Sequence, residues 1–365
     1  MRFVSPLLKH AVYPALHHTG CLDRITPSAA CSVVNYHGVV PADHSSNDIF
    51  IDGNLVQPDA FRQQLRFLKS RYHVIHPDDF RAWVERAGVE KASTQEASLE
   101  KGIEQTKPLP PRSLLITCDD GLLNTFTDML PLLQSEGVPC LFFVTAASCT
   151  KEPGILWYEE LYHLMRSKRL TDADLQLPKE EATNSLSSMS FQARWWSAIR
   201  QASRLDEKAR TDWMNSLRTN HGPAQSLRSE KRWRLLNITE LKQLADSGMT
   251  IGAHTISHPV LSLCSEEEAR REIQESKITL ERALGRPLWA FAYPFGNPAT
   301  MGERELRLAS AAGYACAFLN VEHWASESAN RFALPRTHVT SNTTLPELAA
   351  HLSGLHSRLQ RAAGA

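Results

Sequence analysis

Short apolar runs alternate along most of this chain with stretches whose apolar residues recur every three or four positions. Cys31 to Tyr36 predicts a strand that ends at His37-Gly38. Phe61, Leu65 and Leu68 stand at helical spacing, and His73 to Ile75 predicts the next strand. Asp78 or Asp79 is placed to cap a helix that carries Phe80, Trp83 and Val84. Residues 89–112 are polar and end in Pro108-Leu109-Pro110-Pro111, which predicts a surface loop. Ser113 to Thr117 is a strand; the helix after it sets Phe126, Met129, Leu130 and Leu133 on one face, and Cys140 to Val144 is a strand again. Beyond a break the order resumes with a helix over Leu236 to Ala245, capped near Asn237 or Thr239, and a strand over Met249 to Ala253. A long helix follows from Ser265 to Leu284, opened by the capping sequence Ser265-Glu266-Glu267-Glu268. Leu288 to Ala292 (strand), a helix up to Gly313 and Tyr314 to Leu319 (strand) complete a pattern typical of parallel α/β architecture.

The break runs from Ala147 to about Arg234. It holds tryptophans at 157, 195, 196, 213 and 233, charges of both signs and patches of helical periodicity, and reads as a helical insertion or lid. The tryptophans suit a small core, and one or two suit stacking on a sugar ring. The expected organisation is an N-terminal arm or helix (1–30), a first part of the α/β domain (31–147), the insertion (148–235), a second part (236–345) and a C-terminal helix (346–365).

Composition narrows the function classes. Lysine plus arginine equals aspartate plus glutamate at 40 each, which argues against a nucleic-acid binder driven by phosphate charge. Seven cysteines are scattered without CxxC spacing, several inside apolar strands, as in a reducing compartment. Lys9, His10, Pro14, His17 and His18 interrupt the N-terminal apolar residues, so neither a signal peptide nor a spanning helix is expected, and the expected location is the cytoplasm. Phe3 to Leu16 is weakly amphipathic, suited to a packing helix or to peripheral membrane contact. Oligomeric state is not legible.

The chemistry concentrates at predicted strand ends, where parallel α/β folds gather catalytic groups. Asp119-Asp120-Gly121 follows Leu114-Leu115-Ile116-Thr117-Cys118; two carboxylates there are costly to bury without a cation or a proton-transfer task. His254-Thr255-Ile256-Ser257-His258 follows another strand, as do His37 and Tyr293-Pro294-Phe295-Gly296. One carboxylate with two imidazoles is a hydrolytic metal triad, and the second carboxylate is then free to act as a base. Asp-Asp-Gly is also ordinary turn chemistry, and the two histidines alone also suit a surface loop. Glu is absent at 255, which excludes the helical zincin arrangement.

These motifs resemble the polysaccharide deacetylase family, the NodB-homology carbohydrate esterases. Thr117-Cys118-Asp119-Asp120-Gly121 is similar to the family's first motif, His254-Thr255-Ile256-Ser257-His258 to its second, and Ala292-Tyr293-Pro294-Phe295-Gly296 to its third; Tyr36-His37-Gly38-Val39 resembles an element of many bacterial members. The resemblance implies a distorted (β/α)7 barrel, an α/β fold, with the insertion outside the common core. It implies Asp120, His254 and His258 as ligands of a divalent ion, Zn²⁺ first with Fe²⁺ and Co²⁺ as alternatives. Asp119 is then the base toward a metal-bound water that attacks the acetyl carbonyl, and the Phe295 N–H an oxyanion donor worth about 3 kcal/mol. His37, Tyr293 and Pro294 are expected at the substrate. Where the family carries an arginine in the third motif this chain has Ala292, and Arg336 is the expected substitute from another strand end. The histidine that protonates the leaving amine has no clean counterpart; His338 is the expected one and His37 the alternative.

The implied activity is removal of an N-acetyl (or O-acetyl) group from a polysaccharide, oligosaccharide or lipid-linked sugar, in the setting of surface-polysaccharide or exopolysaccharide synthesis. Two alternatives stand beside it: a carbohydrate-binding relative without catalysis, and a hydrolase of a non-sugar C–N amide. A 2-His-1-carboxylate Fe(II) oxygenase would need a jelly-roll strand pattern, which is not seen here.

Overall fold

A computed structural model describes residues 5–27, 30–42, 44, 49–93, 108–167, 170–171, 173–175, 190–222 and 231–363. Among the described residues eight strands are found: β1 (Ser32–Tyr36), β2 (His73–Val74), β3 (Ser113–Cys118), β4 (Leu141–Val144), β5 (Thr250–Ala253), β6 (Ala290–Ala292), β7 (Cys316–Phe318) and β8 (Thr337–His338). All pair in parallel in the order β7-β6-β5-β4-β3-β1-β8, with β2 against the start of β3. The sheet curls into a half-barrel of the distorted (β/α)7 type. Its two edges meet at one parallel bridge, Phe318 with Leu334, on the segment that leads into β8.

Side chains sort by the two-residue period of a strand. Val34, Tyr36, Leu114, Ile116 and Cys118 face outward onto helices that contribute Phe61, Leu65, Leu133, Leu244 and Ile273. Val33, Leu115, Phe143, Ala290 and Phe318 face inward, where Phe80 and Trp83 of the helix Pro77–Ser93 plug the barrel. With both faces covered, β1, β3 and β4 are buried throughout, which is why they read as unbroken apolar runs. Seven free cysteines include five that are fully buried.

Two expectations need correction. Residues 89–93 are not loop: the helix begun at Pro77 continues to Ser93, through residues with no glycine or proline after Gly88 to stop it. Residues 94–107 of that expected loop lie outside the described residues. The C-terminal helix is two helices, Leu345–Leu352 and Leu355–Ala363, broken at Gly354, whose φ of 72° ends the first. At the N-terminus, residues 8–18 pack as a helix: Tyr13 is fully buried beside Ala349 and Ala350, and its hydroxyl meets His356 Nδ1 at 2.7 Å.

Among its described residues the insertion supplies three helices, Trp157–Ser167, Phe191–Ala202 and Glu207–His221. They share a core of Leu161, Tyr162, Trp195, Ile199, Trp213 and Leu217 that continues onto Leu122 and Val260 of the barrel. Among the described residues no helix is long and apolar enough to cross a membrane.

Candidate metal centre

The Asp-Asp-Gly turn sits where β3 stops. Asp119 N–H donates to Tyr36 O at 2.9 Å, one last rung toward β1, and the chain then bends through two positive φ values, 77° at Asp120 and 75° at Gly121. A Cβ at Gly121 would lie 2.7 Å from Val144 Cγ1, so glycine is required there on two counts. The bend sends the two neighbouring carboxylates to different tasks.

Asp120 Oδ1 lies 3.5 Å from His254 Nε2 and 3.4 Å from His258 Nε2, and all three residues are buried. Asp120 Oδ1 has no hydrogen-bond partner among the described residues. Bonds of about 2.0–2.1 Å meeting at tetrahedral angles would hold neighbouring donor atoms about 3.3–3.4 Å apart. The residues therefore fit a divalent ion bound by one oxygen and two imidazole nitrogens. His254 Nδ1 is 2.7 Å from Ala292 O, which places its proton on Nδ1 and leaves the Nε2 lone pair facing Asp120. Burial pushes His258 below the usual imidazole value, toward the neutral form that ligates metals.

Asp119 is held from the other side. Arg336 Nη1 and Nη2 donate to its two oxygens at 2.7 Å each, and Asn35 Nδ2 donates to Oδ2 at 2.8 Å. Burial alone would raise its pKa; Arg336, His254 and His37 together outweigh burial and hold the carboxyl below the usual range. Arg336 is itself fully buried, with Nε on Leu319 O and the guanidinium over Phe143 and Phe318. Its side chain thus reaches the site from the segment that closes the sheet.

The histidine loop is strained and tightly tied. Thr255 and His258 hold φ of 64° and 60°, and Phe295 holds 61°; left-handed non-glycine residues cost roughly 1–2 kcal/mol each. Ala146 N–H and Ala147 N–H donate to Thr255 O and Ile256 O, and His258 N–H donates to Thr255 Oγ1. Glu272, fully buried, accepts from Ile256 N–H and Ser257 N–H at 2.8 and 2.9 Å.

Other residues named from the sequence divide. The Phe295 ring lies 4.9 Å from that of His258, on the tight turn closed by Gly296 N–H to Pro294 O. His37 and His338 lie side by side with ring centroids 4.8 Å apart; His37 Nδ1 and His338 Nε2 are buried and have no hydrogen-bond partner among the described residues. Burial, with His37 close by, pushes His338 down to about 3, so its ring is neutral at pH 7. Tyr293 is a correction. It is fully buried in the outer core beside Phe291 and its hydroxyl donates to Phe332 O at 3.0 Å, so its side chain is not at the substrate. Pro294 is buried under the turn.

The sequence reading missed several residues here. Asn35 was the odd polar residue inside an apolar strand, a usable signal. Trp157, Tyr158 and Arg210 come from the insertion: Tyr158 lies 4.9 Å from the His258 ring, and Trp157 Nε1 donates to His258 O. Glu159, also buried, is pushed up to about 7, chiefly by burial, and pairs with Arg232 at 3.1 Å. No periodicity signals contacts of this kind.

A parallel half-barrel thus carries a carboxylate and two imidazoles at its strand ends. Residues 221–317 match the family model described as polysaccharide deacetylase, a span that holds the histidine and Tyr-Pro-Phe-Gly motifs but not Asp119-Asp120. The fold is shared with the Streptococcus pyogenes deacetylase PplD in complex with acetate (TM-score 0.52, 16% identity, covering 89% of this chain and 99% of that one). It is shared equally with IcaB from Ammonifex degensii (TM-score 0.53, 17% identity, 90% and 98%). Among curated proteins none matches in sequence. The family model thus matches about a quarter of the chain, and the two solved structures share its fold.

Proposed function

We propose that the protein is a metal-dependent deacetylase that hydrolyses an N-acetyl (or O-acetyl) group on a polysaccharide, oligosaccharide or lipid-linked sugar. The observation that carries the reading is the pairing of two carboxylates with separate duties: Asp120 among two imidazole nitrogens at tetrahedral spacing, and Asp119 clamped by Arg336 beside them. A divalent ion held by Asp120, His254 and His258 supplies Lewis acidity toward an acyl oxygen and lowers the pKa of water to about 7. Zn²⁺ suits the donor set best, and Fe²⁺ and Co²⁺ suit it as well.

The chain's own residues do the rest. Asp119 accepts the proton of the attacking water, and Arg336 with Asn35 fixes the carboxylate's plane and keeps it ionised until then. The Phe295 N–H donates to the oxyanion as the carbonyl becomes tetrahedral, from a turn whose geometry is already set. The leaving nitrogen takes its proton from the His37–His338 pair, which lies near Asp119 and whose His37 Nδ1 and His338 Nε2 have no hydrogen-bond partner among the described residues. Since His338 rests neutral, the proton that Asp119 takes from the water is the one the pair relays to the leaving nitrogen, which departs as the amine and returns Asp119 to its ionised form.

Acetate release from a panel of N- and O-acetylated oligosaccharides, lipid-linked acetylated sugars and simple acetamides tests the reading, with and without chelator. Release from a sugar, abolished by chelator and restored by Zn²⁺, is expected. Release from acetamides alone would shift the substrate to a non-sugar amide. No release under metal-replete conditions would leave a carbohydrate-binding protein.

A further inference from the structure

The insertion touches the histidine loop through a polar contact that neither barrel nor insertion needs for its own core. Arg210, on the helix Glu207–His221, is 3% exposed at its side chain, and its Nη2 donates to Ser257 Oγ; the same nitrogen lies 3.5 Å from Glu272 Oε1. Ser257 Oγ in turn donates to Glu272 Oε1. Glu272 is the carboxylate that accepts from Ile256 N–H and Ser257 N–H, the middle of the loop between the two histidines. Arg210 is fixed by Leu205 O on one side and by the Trp157 ring, 5.6 Å from its guanidinium, on the other. Trp157 donates to His258 O, and Ser203 Oγ, from the same insertion, accepts from Val260 N–H.

We propose that Arg210 is a positioning residue for the metal centre. Acting through Ser257 and Glu272, it holds the His254–His258 loop in its strained shape, which makes the insertion a structural part of the site and not a lid over it. The inference rests on the metal-dependent reading above. The physical ground is charge. Glu272 is wholly buried and takes both loop amides, and a buried carboxylate without a cation beside it is costly enough to move or to take up a proton. Among the described residues, Arg210 is the cation paired with it. Without Arg210, Glu272 loses its hold on Ile256 and Ser257. Thr255 and His258 then relax from their positive φ values, and the His258 nitrogen drifts off its 3.4 Å spacing from Asp120.

The test measures metal binding rather than turnover. Zn²⁺ affinity by chelator competition and the visible absorption of the Co²⁺ form would be compared in wild type, Arg210→Met, Arg210→Lys and Leu217→Ala. Leu217 belongs to the insertion core and serves as a stability control, each variant's stability being read by urea unfolding of the apo chain. Loss of a group that supports metal ligands weakens binding roughly 10- to 100-fold. Arg210→Met is expected at the lower end of that range with an altered Co²⁺ band, Arg210→Lys between it and wild type, and Leu217→Ala near wild type. Wild-type affinity and spectrum in Arg210→Met would overturn the inference, as would an equal loss in Leu217→Ala. If Arg210→Met does not fold, Ser257→Ala probes the same link: weaker binding supports it, unchanged binding overturns it. A wild-type chain that takes up no divalent ion would overturn this inference and the reading beneath it; normal uptake with an indifferent Arg210 would overturn the inference alone.

Discussion

Asp119 has little freedom, because Arg336 occupies both its oxygens and Asn35 one of them again. Arg336→Met would leave a buried carboxylate unpaired and is expected to destabilise the fold by roughly 3–5 kcal/mol in urea unfolding. Asp119→Asn keeps the shape and removes the proton acceptor. Its acetate release should fall by about 10²–10⁴ while Zn²⁺ affinity holds near wild type; retained turnover would remove Asp119 from the proposed chemistry. Residue types and their place after strands made the carboxylate pair and the histidines legible in the sequence. The pairing of Arg336 with Asp119 was available only as an inference from the missing motif-three arginine, since the two stand 217 positions apart. Tyr293 was misread although its direction was legible. It lies two residues beyond Phe291, shares that residue's outward face, and so enters the core.

At the level of elements, strands buried on both faces announced themselves, and their bounds shifted by a residue or two. The two-residue β8 did not: no periodicity can be read from Thr337-His338, and pairing with β1 alone defines it. The insertion was recognised by the break in pattern, but its tryptophans proved mostly core: Trp157, Trp195, Trp213 and Trp233 are buried, leaving Trp196 partly open beside Phe295 at 5.6 Å. Leu217→Ala should cost about 2–5 kcal/mol, measured by urea unfolding, because it empties space between packed helices. Gly121→Ala should cost more than the roughly 1–2 kcal/mol of a left-handed alanine, since Val144 must also move. A melting temperature equal to wild type would contradict that packing.

The whole molecule couples its stability to solution conditions in two places. Metal that binds only the folded chain should stabilise it by about 2.7 kcal/mol at a free concentration one hundred times Kd, and chelator should reverse the gain. The second place joins the chain's two ends, where His351 Nδ1 lies 2.7 Å from Glu322 and Lys9 pairs with Glu347 at 3.0 Å. Burial would lower the His351 pKa, but Glu322 and Glu347 outweigh it and push it up to about 9 from 6.5. A raised folded-state value stabilises fully below 6.5 and fades as pH climbs to about 9. Glu322 and Glu347 are held below 4.5, so their share is present above that value and fades on acidification. Unfolding free energies of wild type and His351→Gln should differ most near pH 6 and converge above pH 9; a constant gap would refute the linkage.

The sheet closes where Phe318 bridges to Leu334, and the same segment carries Arg336 and His338 a few residues on. Leu334 N–H donates to Ala317 O and Arg336 N–H to Val321 O, so parting that seam would draw the guanidinium off Asp119 as it opened the wall. Breathing of the barrel and idling of its chemistry would then be one event. Deuterium uptake at Leu334 and Arg336 should slow in step when the chain is loaded with metal.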